Sequence, residues 1–494
     1  MNRRAFLSAA VLAPLGAALD VSRTTLILRP GRTLASIPAG YTGLSYETSQ
    51  LAEPDFFSPS NKSLVELFRL LNSRGVLRLG GNSSEFCWWK VSPSAVEPAL
   101  KPPPGPLENN WMPHALTAIT PEAIDRLAGF LEATGWTLIY GLNLGTGTPE
   151  RAAEEAAYVA SKVGARLEFF QIGNEPEYYR RATNGLRSQD WDFAAYFTQW
   201  GQFARAVAAR VKDARLGGPD AGASVDWIVS FARQAPAEFK DLIAACTGHY
   251  YAMGPPDDPS VNIARLLGLD SRIDAGMSRI MSAAREAKLP YRMTEGNSCY
   301  RGGKPGASDT FASALWAGDY MLHMARLGCS GVNFHGGGAR QIKAALGGHL
   351  PGEALTKGTQ TTGSGPYYTP IAGSPETGYF ARPIFHGMLM ANRLAGGTLF
   401  ECELDAPGVN ASAFAAKTQD GIRVALFNKD DKQDLAVEIV WNVQRRASVR
   451  RLTAPSLQAE EARFSDEAEN LEREGDHFRL RLPRASAALV FLQG

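Results

Sequence analysis

Eight apolar segments of β type, mostly separated by helix-length stretches, limit this fold more than any other feature of the chain. They run over 41–47 (YTGLSYE), 75–81 (GVLRLGG), 136–143 (WTLIYGLN), 167–175 (LEFFQIGNE), 214–221 (ARLGGPDA), 242–251 (LIAACTGHYY), 291–297 (YRMTEGN) and 331–338 (GVNFHGGG). Most end in polar or glycine-rich residues. Between the first two, Leu64, Leu67, Phe68 and Leu71 fall at helical spacing before Gly75. Thr120-Pro121 opens a helix whose Ile124, Leu127, Ala128 and Leu131 form one apolar face, and another starts at Thr148-Pro149. Threonine caps a helix start, and proline suits its first turn. Eight β-α units imply an α/β fold of the closed parallel (β/α)8 TIM barrel type, with functional loops at the C-terminal ends of the strands. A doubly wound open sheet is the alternative, but the chain has no G-x-G-x-x-G or Walker A pattern to mark a nucleotide site.

Beyond about residue 385 the rhythm changes. GIRVALFNKDDKQDLAVEIVW (421–441) reads as two alternating strands around a charged turn, and HFRLRL (477–482) and AALVFL (487–492) read as further strands. This part is expected to form a β-sandwich domain with a supporting role, and TTLILRP (24–30) is expected to pair with it. The expected division is a signal segment over 1–20, a strand segment over 21–37 that joins the β-domain, the barrel over 38–385 and the sandwich over 386–494. With 494 residues, 45% apolar and 20% charged, the chain is large enough for two cores.

The N-terminal stretch NRRAFLSAAVLAPLGAALD sets Arg3-Arg4 before Phe6-Leu7 and a short apolar run. It resembles a twin-arginine export signal, an address rather than an anchor, so the expected location is periplasmic or extracellular. No other segment offers about 18 or more continuous apolar residues, so no membrane partner is expected. With 51 basic against 50 acidic residues the net charge is +1 and no basic run marks a nucleic-acid footprint. Cys87, Cys246, Cys299, Cys329 and Cys402 lack C-x-x-C spacing and His-rich company, which fits neither a zinc site nor a disulfide framework. No metal and no cofactor are expected.

The segment FFQIGNEPEYY (169–179) runs a strand straight into Asn174-Glu175-Pro176. Pro176 disfavours the helical region for Glu175, so an extended conformation is expected there. Alternation sends Phe170 and Ile172 one way, and Gln171, Gly173 and Glu175 the other. A glutamate at a strand tip serves as a catalytic group, a cation ligand or a solvated turn residue, and the motif alone does not decide. A second carboxylate sharpens the question. Glu175 ends the fourth strand segment and Glu295 lies in the seventh, on facing sides of one rim. Glycosidic hydrolysis needs two such groups, one to protonate the leaving oxygen and one to attack the anomeric carbon or activate water.

This arrangement resembles clan A of the glycoside hydrolases, whose members retain anomeric configuration. Read together, GLSYE, RLGGN, IGNEP, GHYY, TEGNSCYRGG and YYTPI, in that order between about residues 40 and 380, resemble glycoside hydrolase family 79. The E-x4-Y-x-G-G pattern that follows Glu295 is the most specific of these. That family contains β-glucuronidases and heparanases built as a barrel plus a β-sandwich. The resemblance makes Glu175 the acid/base and Glu295 the nucleophile, with carboxyls roughly 5–5.5 Å apart. It assigns Asn174 to the 2-hydroxyl of the sugar, Tyr250 to orienting the nucleophile, and Glu47 and Asn82 to hydroxyls of the terminal sugar. Tyr300, backbone N–H groups around Arg301 and Gly302, and Tyr368 would hold the uronic carboxylate. Arg301 stands where a glycine is familiar, and the stretch between His335 and Tyr367 is long and glycine-rich.

Other readings remain beside these. Glu295 also reads as a rim residue paired with Arg292 or Arg301, and Tyr250 and Tyr300 as ordinary packing. His249 and His335 read as hydrogen-bonded strand-end residues. Trp88-Trp89 reads as a sugar platform or as buried packing. Glu177 and Arg180-Arg181 read as a solvated loop. The expected activity is that of a retaining exo-acting β-glucuronidase on a carbohydrate substrate. The alternatives are a heparanase-like endo-enzyme on an acidic polysaccharide and a non-catalytic carbohydrate-binding protein. The near-neutral charge disfavours the endo-enzyme, because a long anionic chain gains from a cationic cleft.

Overall fold

Strand and helix alternate along the chain because each apolar strand is followed by a capped amphipathic helix. Thr120 and Thr148 cap the helices Pro121–Thr134 and Pro149–Val163, accepting from Ala123 N and Arg151 N, and each has proline in its first turn. Gly135 closes the first of them with φ +81°, a left-handed conformation open to glycine. In this computed structural model, residues 21–100, 115–181, 185–345, 361–362, 364–441, 443 and 446–493 are described. The proposed export segment, residues 1–20, lies outside them.

The strands Thr42–Glu47, Val76–Gly80, Thr137–Leu142, Leu167–Ile172, Leu216–Ala221, Ile243–Met253, Tyr291–Cys299 and Val332–His335 close into one barrel in chain order. All eight neighbouring pairs are parallel. The fold is therefore a (β/α)8 barrel, and every strand delivers its C-terminal end to the same rim. Apolar residues that face the helices, such as Leu79, Tyr140 and Phe170, are buried against the helical layer.

A second core lies in the C-terminal part, where one eleven-stranded sheet curls over itself into a β-sandwich. Leu26, Val424, Leu426, Val437, Ile439, Val449, Leu480 and Val490 fill its interior. Val21–Ser36 pairs antiparallel with Thr398–Asp405 and parallel with Asp434–Val440, so an N-terminal strand is built into the C-terminal sheet. The strands Gly421–Asn428 and Asp434–Val440 form on either side of the charged turn, yet they do not pair with each other. The first lies between Ala411–Thr418 and Ser486–Gln493, while the second lies between the N-terminal strand and His477–Leu482. The expected boundary at residue 385 falls inside the helix Pro383–Asn392. That helix packs on Phe311–Arg326, with Gly387 against the Ala314 carbonyl, so barrel-side packing runs on to Asn392. Among the described residues no helix is long and apolar enough to cross a membrane.

Candidate active site

Inside the barrel, side chains alternate between the interior and the helical layer. On the sixth strand Thr247, His249 and Tyr251 take the interior positions, and on the seventh Thr294 and Glu295 contribute. The centre of the network is Arg78, on the second strand and 1% exposed. Its guanidinium donates to Glu295 Oε2 at 2.6 Å, Asn174 Oδ1 at 2.7 Å, and Ser45 Oγ and Gln171 Oε1 at 3.1 Å each. It also donates to Asp220, which accepts from Gln171 and Thr294 as well. Removing charges from water is expensive unless they are paired and hydrogen-bonded, and this network supplies both conditions.

Glu295 is 6% exposed and accepts from Tyr251 Oη at 2.9 Å. His249 Nδ1 stands 3.9 Å from one of its oxygens and His335 Nδ1 3.7 Å from the other. Burial alone would raise this carboxyl. The neighbouring His335, His249 and Arg78 outweigh it and hold the group at about 2. Glu295 is therefore a carboxylate at neutral pH. Asp220 is likewise buried, and Arg78 and His249 hold it well below the usual carboxylate range.

Glu175 follows the fourth strand with φ +47° and ψ +49°. It is left-handed rather than extended, which corrects the sequence expectation. Proline at the next position disfavours the right-handed helical region and favours extended backbone, and the bonds of this turn override that preference. The turn is held because Glu175 N donates to the Asp220 carbonyl at 2.9 Å and Tyr178 N donates to the Glu175 carbonyl at 2.9 Å. A non-glycine residue in such a conformation stores strain of order 1–3 kcal/mol, which the surrounding bonds must offset. The reward is orientation: Glu175 Oε1 lies 3.0 Å from His249 Nδ1. One oxygen of Glu175, one of Glu295 and a ring nitrogen of His249 lie within 4.8 Å of one another. Burial would lower the His249 ring, but Asp220 and Glu295, with bonds to Asp220 and Glu175, raise it to about 10.

The remaining expected residues divide. Glu47 is buried, accepts from Ser83 N at 2.8 Å and faces His335 Nε2 at 3.4 Å. Asn174 donates to Asn82 Oδ1 at 3.3 Å, so these two border the carboxylates together. Tyr368 is buried, with its ring 6.4 Å from Tyr251 and 6.0 Å from His335. Tyr300 is half-buried, set edge-on to Tyr251 at 6.3 Å. Arg301, Gly302 and Gly303 form a turn of positive φ, and the Gly302 carbonyl accepts from Tyr368 N at 3.3 Å.

Tyr250 is not with them. Its hydroxyl donates to Asp270 and its ring stacks on Tyr320 at 5.1 Å, on the helical side of the strand. The residue that orients Glu295 is Tyr251, because His249 lies opposite Glu295 in the register and one step changes the face. Arg292 does not meet Glu295 either; it donates to Asn333 Oδ1 at 2.7 Å. Trp88 and Trp89 are buried packing, the latter against Tyr158 at 5.2 Å. Glu177 is buried rather than solvated, while Arg180 and Arg181 are exposed. The residues missed in sequence, Arg78, Asp220 and Tyr251, carried one visible signal: charges inside the apolar runs VLRLG and LGGPDA.

No family model matches the chain. Over 314 residues it is 25% identical to a β-glucuronidase of Aspergillus niger, covering 58% of this chain and 55% of that protein. Over 341 residues it is 24% identical to a β-glucuronidase of Neurospora crassa, covering 62% of this chain and 59% of that one. The chain thus spans less than two thirds of the length of these curated relatives. Among solved structures, a 4-O-α-L-rhamnosyl-β-D-glucuronidase from Fusarium oxysporum superposes with a TM-score of 0.72 at 17% identity, over 96% of this chain and 100% of that one. A family 51 arabinofuranosidase from Xanthomonas axonopodis pv. citri gives 0.64 at 16% identity, over 95% and 100%. Both share the fold. The barrel and the curled second sheet are thus the architecture of these solved glycoside hydrolases.

Proposed function

We propose that the chain is a retaining, exo-acting β-glucuronidase that releases terminal β-linked glucuronic acid. The observation that carries the proposal is the pair Glu175 and Glu295, with oxygens within 4.8 Å, one just past the fourth barrel strand and the other within the seventh. Double displacement uses carboxyls about 5–5.5 Å apart, whereas inversion needs roughly 6.5–9.5 Å to admit a water molecule. Glu295, held ionised and aligned by Arg78 and Tyr251, has the charge a nucleophile requires. Glu175, on the more open side, gives its proton to the departing oxygen and later takes one from water.

Two fungal β-glucuronidases among the sequence relatives support the glucuronide as substrate. So do Tyr300, Tyr368 and the glycine turn 301–303, whose neutral donors suit a carboxylate. Turnover of an aryl β-glucuronide beside the matching glucoside and galactoside tests the substrate class. NMR of the first-formed anomer tests the stereochemistry. Equal rates on the three glycosides exclude uronic-acid selectivity, and a first-formed α-anomer excludes retention. Absence of turnover on all three favours a non-catalytic carbohydrate-binding protein.

A further inference from the structure

Two residues beyond Glu175, a second carboxyl is enclosed by the protein. Glu177 is 9% exposed, and its Oε1 accepts from Ala223 N at 2.9 Å and Ser224 N at 3.2 Å. Those N–H groups stand at the head of the helix Val225–Glu238, where Ser224 is the capping residue. Glu177 Oε2 has no hydrogen-bond partner among the described residues. The anchored segment matters to the acid/base directly. Gly222 approaches Glu175 so closely that a Cβ there would stand 2.5 Å from its Oε1, and the Asp220 carbonyl holds Glu175 N.

We infer that Glu177 is a positioning residue for the acid/base: it ties the strained Glu175 turn to the loop 220–224. This rests on Glu175 being the acid/base. Anchoring follows from the two backbone bonds, which join the tip of the fourth strand to the segment after the fifth. Without them the left-handed Glu175 loses part of the frame that holds it. The groups facing Glu177 are Glu175 and Tyr178 from its own turn, Tyr196 from the helix Phe193–Arg210, and the N–H groups of Ala223 and Ser224. Arg181 lies over the Tyr178 ring at 3.5 Å. Burial first, and then Glu175, raise Glu177 to about 7.

Two substitutions test the anchor. Glu177→Gln keeps an acceptor oxygen for the two N–H groups, so it should retain more kcat than Glu177→Asp, with the basic limb of kcat/KM in place. Glu177→Asp keeps the charge but draws the oxygen back from Ala223 and Ser224, so kcat should fall about tenfold with the limb in place. Circular dichroism and melting temperature establish that both variants fold. Wild-type kcat in Glu177→Asp, in an enzyme whose Glu175→Ala variant shows the leaving-group dependence of a lost acid, overturns the inference and leaves the assignment of Glu175 intact. If Glu175→Ala lacks that dependence, the underlying assignment is what fails. A lower melting temperature with wild-type kinetics in both variants assigns Glu177 to stability alone, and also overturns the inference.

Discussion

Tyr251 donates its phenolic O–H to Glu295 at 2.9 Å, whereas its neighbour Tyr250 faces the helices and donates to Asp270. Burial raises the Tyr251 phenol well above its ordinary value, with Glu295 next in effect, so the group remains a donor through neutral pH. Tyr251→Phe should reduce kcat/KM on an aryl glucuronide about ten- to a hundredfold, the size of one lost charge-assisted hydrogen bond. Tyr250→Phe should remain close to wild type in activity. Steady-state kinetics of the two variants decide between the neighbours, and the opposite ranking would place the orienting hydroxyl on Tyr250 after all.

Division of labour between the carboxylates gives the second prediction. Glu295→Ala should abolish formation of a glycosyl-enzyme. Glu175→Ala should affect alkyl glucuronides far more than dinitrophenyl glucuronides in the glycosylation step, because a good leaving group departs without a proton. Pre-steady-state rates on both substrates measure this. Equal losses on the two would remove Glu175 from the role of acid.

The sequence carried the barrel and its two reactive carboxylates for a simple physical reason. Period-two apolar strands with polar ends are local signals; Glu175 stands just past the fourth strand and Glu295 within the seventh. The network beneath them depends on which strand faces which. Arg78 finds Asn174, Asp220 and Glu295 at sequence separations of 96, 142 and 217, distances that no local pattern encodes. The same limit applies to Tyr250 and Tyr251. Adjacent tyrosines are interchangeable by motif, and only the pairing of His249 with Glu295 fixes the face each takes. In the sandwich, the charged turn between Asn428 and Asp434 looked like a hairpin. The parallel partner of Asp434–Val440 is instead a strand some four hundred residues earlier, Val21–Ser36.

The buried charges should also shape stability. His249 is raised to about 10, so its contribution is fully present below its unfolded value of about 6.5 and is lost as pH rises through about 10. Glu295 is lowered to about 2, so its contribution is present above an unfolded value of about 4.3 and is lost as pH falls through about 2. Asp220, also lowered, acts in the same direction as Glu295. Melting temperature should therefore form a plateau between about pH 4.5 and 6.5 and decline on both sides. His249→Asn should be less stable than wild type at pH 6, and the gap should narrow towards pH 10. A gap that stays constant across that range would mean that the ring contributes packing rather than charge.

The last prediction concerns why a uronic acid is chosen over a neutral hexose. A substrate carboxylate taken from water needs donors, since an unpaired buried charge is costly. Tyr300 is placed to donate because its ring lies on Gly254, where a Cβ would stand 2.1 Å from the ring, and edge-on to Tyr251. Burial raises its phenol, so the O–H persists at neutral pH. Tyr368, by contrast, is buried and shares a hydrogen bond with Tyr251, which binds the nucleophile. The two tyrosines should therefore respond differently. Tyr300→Phe should lose about ten- to a hundredfold in kcat/KM on a glucuronide while residual activity on the matching glucoside changes little, as expected when one charge-assisted bond is removed. Tyr368→Phe should lower both activities, because it also loosens Tyr251. Gly254→Ala should reproduce the Tyr300→Phe pattern by displacing the ring without touching its hydroxyl. Parallel kinetics on the two glycosides read all three variants. If Tyr300→Phe lowers both substrates equally, its hydroxyl supports the architecture of the cleft, and selectivity for the acid must reside in the backbone turn at 301–303.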